Sequence, residues 1–380
     1  MEIIHIIFEK NNNANPTLSV AIDQLASEQA KLGYTVKMWE ISEPAAISTS
    51  KERSYPTQFF QINRFIGSTI REIIKAIKLI KKDTVFHLHG GFIPIFFSIA
   101  FQFKKRNIPF VYTTHGKYNK TYMETAGIMK KMYYLFFEHM LIQWSSALHF
   151  EGQNEKDVFE ENSKDSNKKL FVIPIGLPSE NKLVAPKIKK NIIPVFGYVG
   201  NLNIEKSGLD ILLYAFAEYK HKYMENGELW IVGEGKGKEE LQALATLLKI
   251  DSYVSFIPCV FGSKKVELLS KIDVFVMPSR YEYNPFIILE AAAASVPAIV
   301  SEETNMGEYI KAYDAGYVLK ENTPNMLAKS FIACLRDHQN HQWDCKRRNA
   351  YRMVNEKFQW STIAKEHINI YEKVLVEQVA

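Results

Sequence analysis

Glu282 and Glu290 stand eight positions apart in the segment PSRYEYNPFIILEAAAASVPAIV, Pro278 to Val300. The run DVFVM before it has the pattern of a buried strand, and Pro285 suits the first turn of the helix predicted from PFIILEAAAA. Glu282 then lies in the loop before a helix N-terminus, and Glu290 lies about one and a half turns into the helix. A carboxylate in such a loop can accept hydrogen bonds from sugar hydroxyls, and the free amides of a helix N-terminus suit a diphosphate. Glu290 sits on an apolar helix, where burial without a partner is costly. The alternative is structural, with Glu282 capping the helix and Glu290 paired with a nearby lysine. The residues alone leave both readings open.

Other groups of this kind stand at strand ends. His115 closes the run VYTTHG, and Lys117 and Tyr118 follow it. A lone histidine there is more often structural than catalytic. His87 and His89 alternate on one strand and point the same way. They could hold a metal ion, but no third ligand is evident, so cleft lining or a structural role is expected and no metal. Lys206 follows the strand PVFGYVG, where a cation can neutralise a phosphate. Gly233, Gly235 and Gly237 lie between a strand and a helix. Their G-x-G-x-G spacing differs from the dinucleotide fingerprint and is weak evidence for NAD.

The elements that must hold these residues alternate. Strand-like runs (EIIHIIF, TVKMWEI, TVFHLHG, PFVYTTHG, ALHFEG, KLFVIPIG) are separated by helical patterns as far as residue 178, and the alternation restarts at PVFGYVG. Alternating β and α units with continuous apolar strands predict parallel sheets covered on both faces. In such sheets ligands bind where strands end and helices begin, so the functional residues should follow strands. The polar, lysine-rich SENKLVAPKIKKNII suits a linker between two domains.

A chain of 380 residues fits two domains. Three cysteines without metal-ligand spacing indicate neither a zinc site nor a disulfide framework and fit a reducing cytosol. The N-terminus lacks the basic region of a signal peptide. The apolar run Phe92 to Phe103 is too short to cross a bilayer. The net charge of +5 is unevenly placed. Lys104, Lys105, Arg106, Lys117, Lys120, Lys130 and Lys131 face one acid, Glu124, between Phe101 and Lys131. A solvated basic face is the ordinary reading, and contact with anionic lipid headgroups is the functional one. No nucleic-acid-binding motif accompanies the charge.

The Glu282–Glu290 segment resembles the E-x7-E signature of the retaining family 4 glycosyltransferases of the GT-B fold. The D-V-F-V-x-P-S strand before it and E-A-x-A-x-x-x-P after it match as well. The resemblance implies two Rossmann-like domains with parallel sheets facing across a cleft. It assigns residues 1–184 to acceptor binding, with the helix 362–380 packing back on them, and residues 185–361 to the nucleotide-sugar. It implies that Glu282 contacts the donor sugar and Glu290 the ribose. Lys206 then matches the lysine that grips the diphosphate, and Asn201 stands where that family has an arginine. Tyr283, Asn284, Pro285 and Phe286 fall beside the donor, and Gly235 belongs to the family's I-V-G-x-G turn. His115 matches the T-x-H-G histidine beside the donor sugar. Asn13, Ala14 and Asn15 replace a glycine-rich loop near the donor phosphates, and His89, Lys117 and Tyr118 fall on the acceptor side.

The implied activity is a metal-independent hexosyltransferase that retains anomeric configuration and needs no cofactor. Its donor is a nucleoside-diphosphate sugar, UDP-linked rather than GDP-linked. Its acceptor is a saccharide or lipid-linked saccharide, in the synthesis of a cell-surface polysaccharide. The enzyme would be cytoplasmic, with peripheral contact at the anionic inner face of the membrane. A nucleotide-sugar epimerase and a non-catalytic homologue acting as a partner protein are the alternatives.

Overall fold

The computed structural model describes residues 1–9, 16–43, 53–62, 66–118, 127–162, 169–178, 191, 193–280, 286–340 and 342–379. The chain forms two compact units, each an α/β Rossmann-like domain built on one all-parallel sheet. Unit 1 comprises Met1–Gly176 and Trp360–Ala380, and unit 2 comprises Leu177–Gln359.

The sheet of unit 1 holds seven strands: β1 (Glu2–Glu9), β2 (Thr35–Ser42), β3 (Thr57–Gln61), β4 (Thr84–His89), β5 (Phe110–Thr113), β6 (Ala147–Phe150) and β7 (Leu170–Val172). Their order is β3-β2-β1-β4-β5-β6-β7. Ile3, Ile4, Ile6 and Ile7 of β1 are all buried, because helices cover both faces of the sheet. Three helices follow β1, β3 and β4: α1 (Pro16–Lys31), α2 (Ile66–Lys78) and α3 (Pro94–Arg106). The 20-residue helix Trp360–Val379 returns after unit 2 and packs on α1 and β4.

Unit 2 repeats the plan with β8 (Val195–Val199), β9 (Glu228–Val232), β10 (Val254–Ile257), β11 (Val274–Met277), β12 (Ala298–Ser301) and β13 (Gly316–Leu319). Their order is β10-β9-β8-β11-β12-β13. Phe196, Phe216, Tyr219 and Phe331 fill its core.

Strands β3 and β13 carry no clear mark in the sequence. Both are sheet edges, β3 exposed at most positions and β13 half-buried, so neither needs the continuous apolar run that betrays a central strand.

Candidate functional site

In an open parallel sheet the strand order reverses at one point, and the crevice outside the strand ends there is the natural ligand site. In unit 2 that point lies between β8 and β11. The loop after β8 carries Asn201 and Lys206, and the loop after β11 leads to Glu282. Glu282, Tyr283, Asn284 and Pro285 themselves lie outside the described residues.

Asn203 caps the short helix Ile204–Ser207, its side chain accepting from Lys206 N at 2.9 Å. Asn201 is exposed, and its carbonyl accepts from the Tyr198 and Ser207 hydroxyls. Arg280 ties this loop to the next. Its amide donates to the Lys206 carbonyl at 2.9 Å, and its guanidinium donates to the Ile204 carbonyl at 3.0 Å. The same guanidinium forks onto Asp210 at 2.9 and 2.7 Å. Burial works to raise the Asp210 pKa, but the hydrogen bonds and charge of Arg280 outweigh it, and the net shift is downward. Asn322 donates to the Pro278 and Ser279 carbonyls, and Ser301 donates to Ser279. A Cβ on Gly208 would meet the Pro278 carbonyl oxygen at 2.0 Å, so only glycine allows this approach. The backbone that delivers Glu282 is thus pinned from four sides. Arg280 and Asp210 escaped the sequence reading, since nothing in their spacing shows that they pair.

The β9 loop joins from the other side. Gly200 N donates to Val232 O, Leu202 N to Glu234 O, and Gly237 N to Leu202 O. A Cβ on Gly235 would meet the Leu202 backbone at 2.8 Å, and one on Gly233 the Gly200 oxygen at 1.9 Å. These glycines serve loop-to-loop contact, which is a different requirement from dinucleotide binding.

Phe286 opens the helix Phe286–Ala293 and is buried. Glu290, 8% exposed, pairs with Lys265 at 2.7 Å, so the lysine partner that its burial demanded is present.

Unit 1 reverses between β1 and β4. Asn13, Ala14 and Asn15, in the loop after β1, lie outside the described residues. Behind the strand ends sits a core of histidines. His5 and His87 are register partners on β1 and β4. Gln29 Oε1 lies 2.7 Å from His5 Nε2, His5 Nδ1 2.9 Å from His89 Nε2, and His89 Nδ1 3.2 Å from His115 Nε2. His115 Nδ1 is 2.7 Å from Glu151 Oε1. Four hydrogen bonds therefore link the Gln29 amide to the Glu151 carboxylate through three imidazoles. Each neutral imidazole in the chain donates from one ring nitrogen and accepts at the other.

A second file runs from Tyr371 through His87, Thr113 and His149 to the Ile173 carbonyl, in steps of 2.7, 2.6, 2.8 and 2.8 Å. The carbonyl only accepts, so each donor in the file points toward it and the Tyr371 hydroxyl donates to His87. Every proton in this file is met by neutral rings. Burial lowers His5 and His149 to about 4 and holds His87, His89 and His367 well below the usual imidazole value.

His5, His87 and His89 bring nitrogens within 4.8 Å of one another, a spacing that could suit a cation. All six of their ring nitrogens already have hydrogen-bond partners, which a cation would have to displace. His5 is the third histidine that the sequence did not reveal. It sits 82 positions before His87, and only the parallel pairing of β1 with β4 brings them together.

His115 has φ 53° and precedes Gly116 at φ 77°, a left-handed turn that is costly for a non-glycine residue and common at functional sites. Both of its ring nitrogens are engaged by His89 and Glu151. Lys117 donates to the Gly91 carbonyl at 2.8 Å, and burial lowers its pKa. Tyr118 is 2% exposed and donates to Glu138. The structure thus gathers His89 and His115 in one network and turns Lys117 and Tyr118 inward.

Two protein-family models match successive parts of the chain. The model "Glycosyltransferase Family 4" matches residues 18–181, and "Glycosyl transferases group 1" matches residues 181–352. The protein is therefore built from glycosyltransferase-type domains, and its fold is GT-B. An uncharacterized glycosyltransferase of Methanocaldococcus jannaschii is 29% identical over 221 residues, 58% of this chain. The match spans about half of that relative's length, 52%. An uncharacterized 41.2 kDa protein in the cps region of Klebsiella pneumoniae is 23% identical across 81% of this chain and 83% of its own. A UDP-Gal:alpha-D-GlcNAc-diphosphoundecaprenol alpha-1,3-galactosyltransferase of Escherichia coli is 25% identical across 70% of this chain and 71% of its own. Among solved structures, a glycosyltransferase from Rickettsia africae superposes with a TM-score of 0.73 at 16% identity, covering 98% of each chain. An Anabaena protein in complex with UDP superposes at 0.72 and 14%, covering 98% of this chain and all of its own.

Proposed function

We propose that the protein transfers a hexose from a UDP-sugar to a saccharide or lipid-linked saccharide, with retention of configuration and without a metal, in cell-surface polysaccharide synthesis. The work would be done in the cytoplasm, at the inner face of the membrane. The observation that carries this reading is the convergence of three strand-end loops at the switch point of unit 2. They bring the Lys206 backbone onto Arg280, two residues before Glu282. Lys206 and a helix N-terminus offer positive potential to a diphosphate. Glu282 receives the sugar hydroxyls and Glu290 the ribose. On this reading the leaving phosphate takes the acceptor proton, so no side-chain nucleophile is needed. The UDP bound by the Anabaena protein and the lipid-linked acceptor in the Escherichia coli enzyme's name support the donor and acceptor classes.

A thermal-shift screen with UDP-, GDP-, ADP- and dTDP-sugars, without added metal, tests the donor. Ligand at a hundred times its dissociation constant stabilises the native state by about 2.7 kcal/mol. The expected outcome is a shift with UDP-sugars that disappears in Glu290→Ala. Glu282→Ala should lower turnover at least a hundredfold while leaving the melting temperature unchanged. No shift with any nucleotide would support the non-catalytic reading, and sugar interconversion without acceptor would support the epimerase.

A further inference from the structure

Among the described residues, eight of the exposed large apolar side chains crowd one surface of unit 1. The helical segment 128–144 runs as Ile128–Tyr133, a π-helical turn Tyr134–Glu138, and His139–Trp144. Ile128 is 78% exposed, Met129 81%, Leu135 65% and Phe136 61%. Met132, Phe137 and Met140 are exposed beside them. The inward side explains why these residues face out. Glu138, fully buried, accepts hydrogen bonds from the Tyr112 and Tyr118 hydroxyls and the Phe92 amide, and this anchor fixes the rotation of the helix. Phe137 and Trp144 pack on Phe97 of α3, and Phe101, half exposed, continues the apolar strip.

Charge borders the strip with one sign. Lys130 and Lys131 are exposed within it, and Lys104, Lys105 and Arg106 are exposed at the end of α3. The only acid between residues 127 and 144 is the buried Glu138. A contiguous apolar patch of this kind marks an interaction site. An apolar strip bordered by lysines, with no exposed acid, complements the interface of an anionic bilayer: the apolar chains enter the acyl boundary while the amines remain among the phosphates. Three flexible methionines suit a disordered partner such as lipid.

We infer that the face formed by Ile128, Met129, Leu135 and Phe136, with Lys130 and Lys131, docks unit 1 on an anionic phospholipid surface. It gives the membrane contact of the proposed function its place in the fold. Vesicle binding needs neither donor nor acceptor, so it can fail while sugar transfer stands, and the reverse.

The test is co-sedimentation of the full chain with vesicles of phosphatidylcholine alone and with a third of phosphatidylglycerol, at low and at physiological salt. Binding should favour the anionic vesicles at least tenfold and weaken with salt. Leu135→Ser/Phe136→Ser should lose binding at least tenfold at unchanged melting temperature. Lys130→Glu/Lys131→Glu should lose the preference for anionic lipid. Failure of the wild type to bind, or equal binding to both vesicle types, would overturn the proposal. So would a dimer in sedimentation analysis without lipid that Leu135→Ser/Phe136→Ser dissociates, since the face would then belong to a second copy.

Discussion

On the proposed function, Arg280 lies outside the chemistry but positions the groups that perform it. It holds the loop that carries Lys206 against the strand end that leads to Glu282, through Asp210 and two carbonyls. Arg280→Ala should weaken nucleotide binding about tenfold or more with little change in the unit 2 core, as nucleotide titration of both proteins would show. Arg280→Lys should recover little, because an ammonium cannot reproduce the planar fork. A second residue, Glu155, is buried and accepts from Thr114 at 2.8 Å. Burial first, and then the charge of Glu151, raises its pKa to about 7 from an ordinary 4.5. The folded state therefore holds this proton more tightly than the unfolded chain, and stability falls as pH rises from 4.5 to about 7. Glu155→Gln keeps an acceptor for Thr114 and removes that loss. Its melting temperature should exceed wild type at pH 8, by up to ~3 kcal/mol in stability, and match it near pH 4.5. At this scale the sequence offered Glu290 and Lys206 as candidates and predicted that a buried Glu290 would need a lysine partner. It could not show Lys265, Arg280 or His5, because their roles depend on neighbours far away in the chain.

At the scale of elements, the loops after β8 and β9 touch backbone to backbone, so the glycines between them act as spacers. Gly235→Val should push the two loops apart. We expect loss of the nucleotide-induced thermal shift, with the apo protein destabilised by about 1–3 kcal/mol. An unchanged shift would mean that the loops do not shape the donor site. The alternation of strands and helices was legible because central strands are buried on both faces. Edge strands β3 and β13 were not, since partial exposure leaves a mixed pattern. The π-helical turn at Tyr134–Glu138 was equally hidden. Its position follows from Glu138 meeting two tyrosines and an amide that come from other elements.

Across the whole molecule, seven of the ten histidines lie in unit 1, and five of them are buried and held neutral. An imidazole with a lowered folded pKa contributes stability above its ordinary 6.5 that is lost as pH falls toward 4. Five such groups, opposed by Glu155, give a slope approaching ~5 kcal/mol per pH unit in that window. Unit 1 should therefore open before unit 2 on acidification. Hydrogen exchange followed peptide by peptide from pH 7 to pH 4.5 would show it, and simultaneous loss of protection in both units would refute it.

The chain leaves unit 1 after Gly176 and re-enters it at Trp360, so unit 2 is an insertion within unit 1. Synthesis from the N-terminus must therefore finish the second unit before the first. Until residues 360–379 emerge, His87 lacks its Tyr371 partner and α1 lacks the helix that covers it. The nascent first unit by then holds all seven of its strands, but part of its histidine core stays uncovered until that last helix docks. The first unit can therefore close over that core only after the whole of the second has been synthesised.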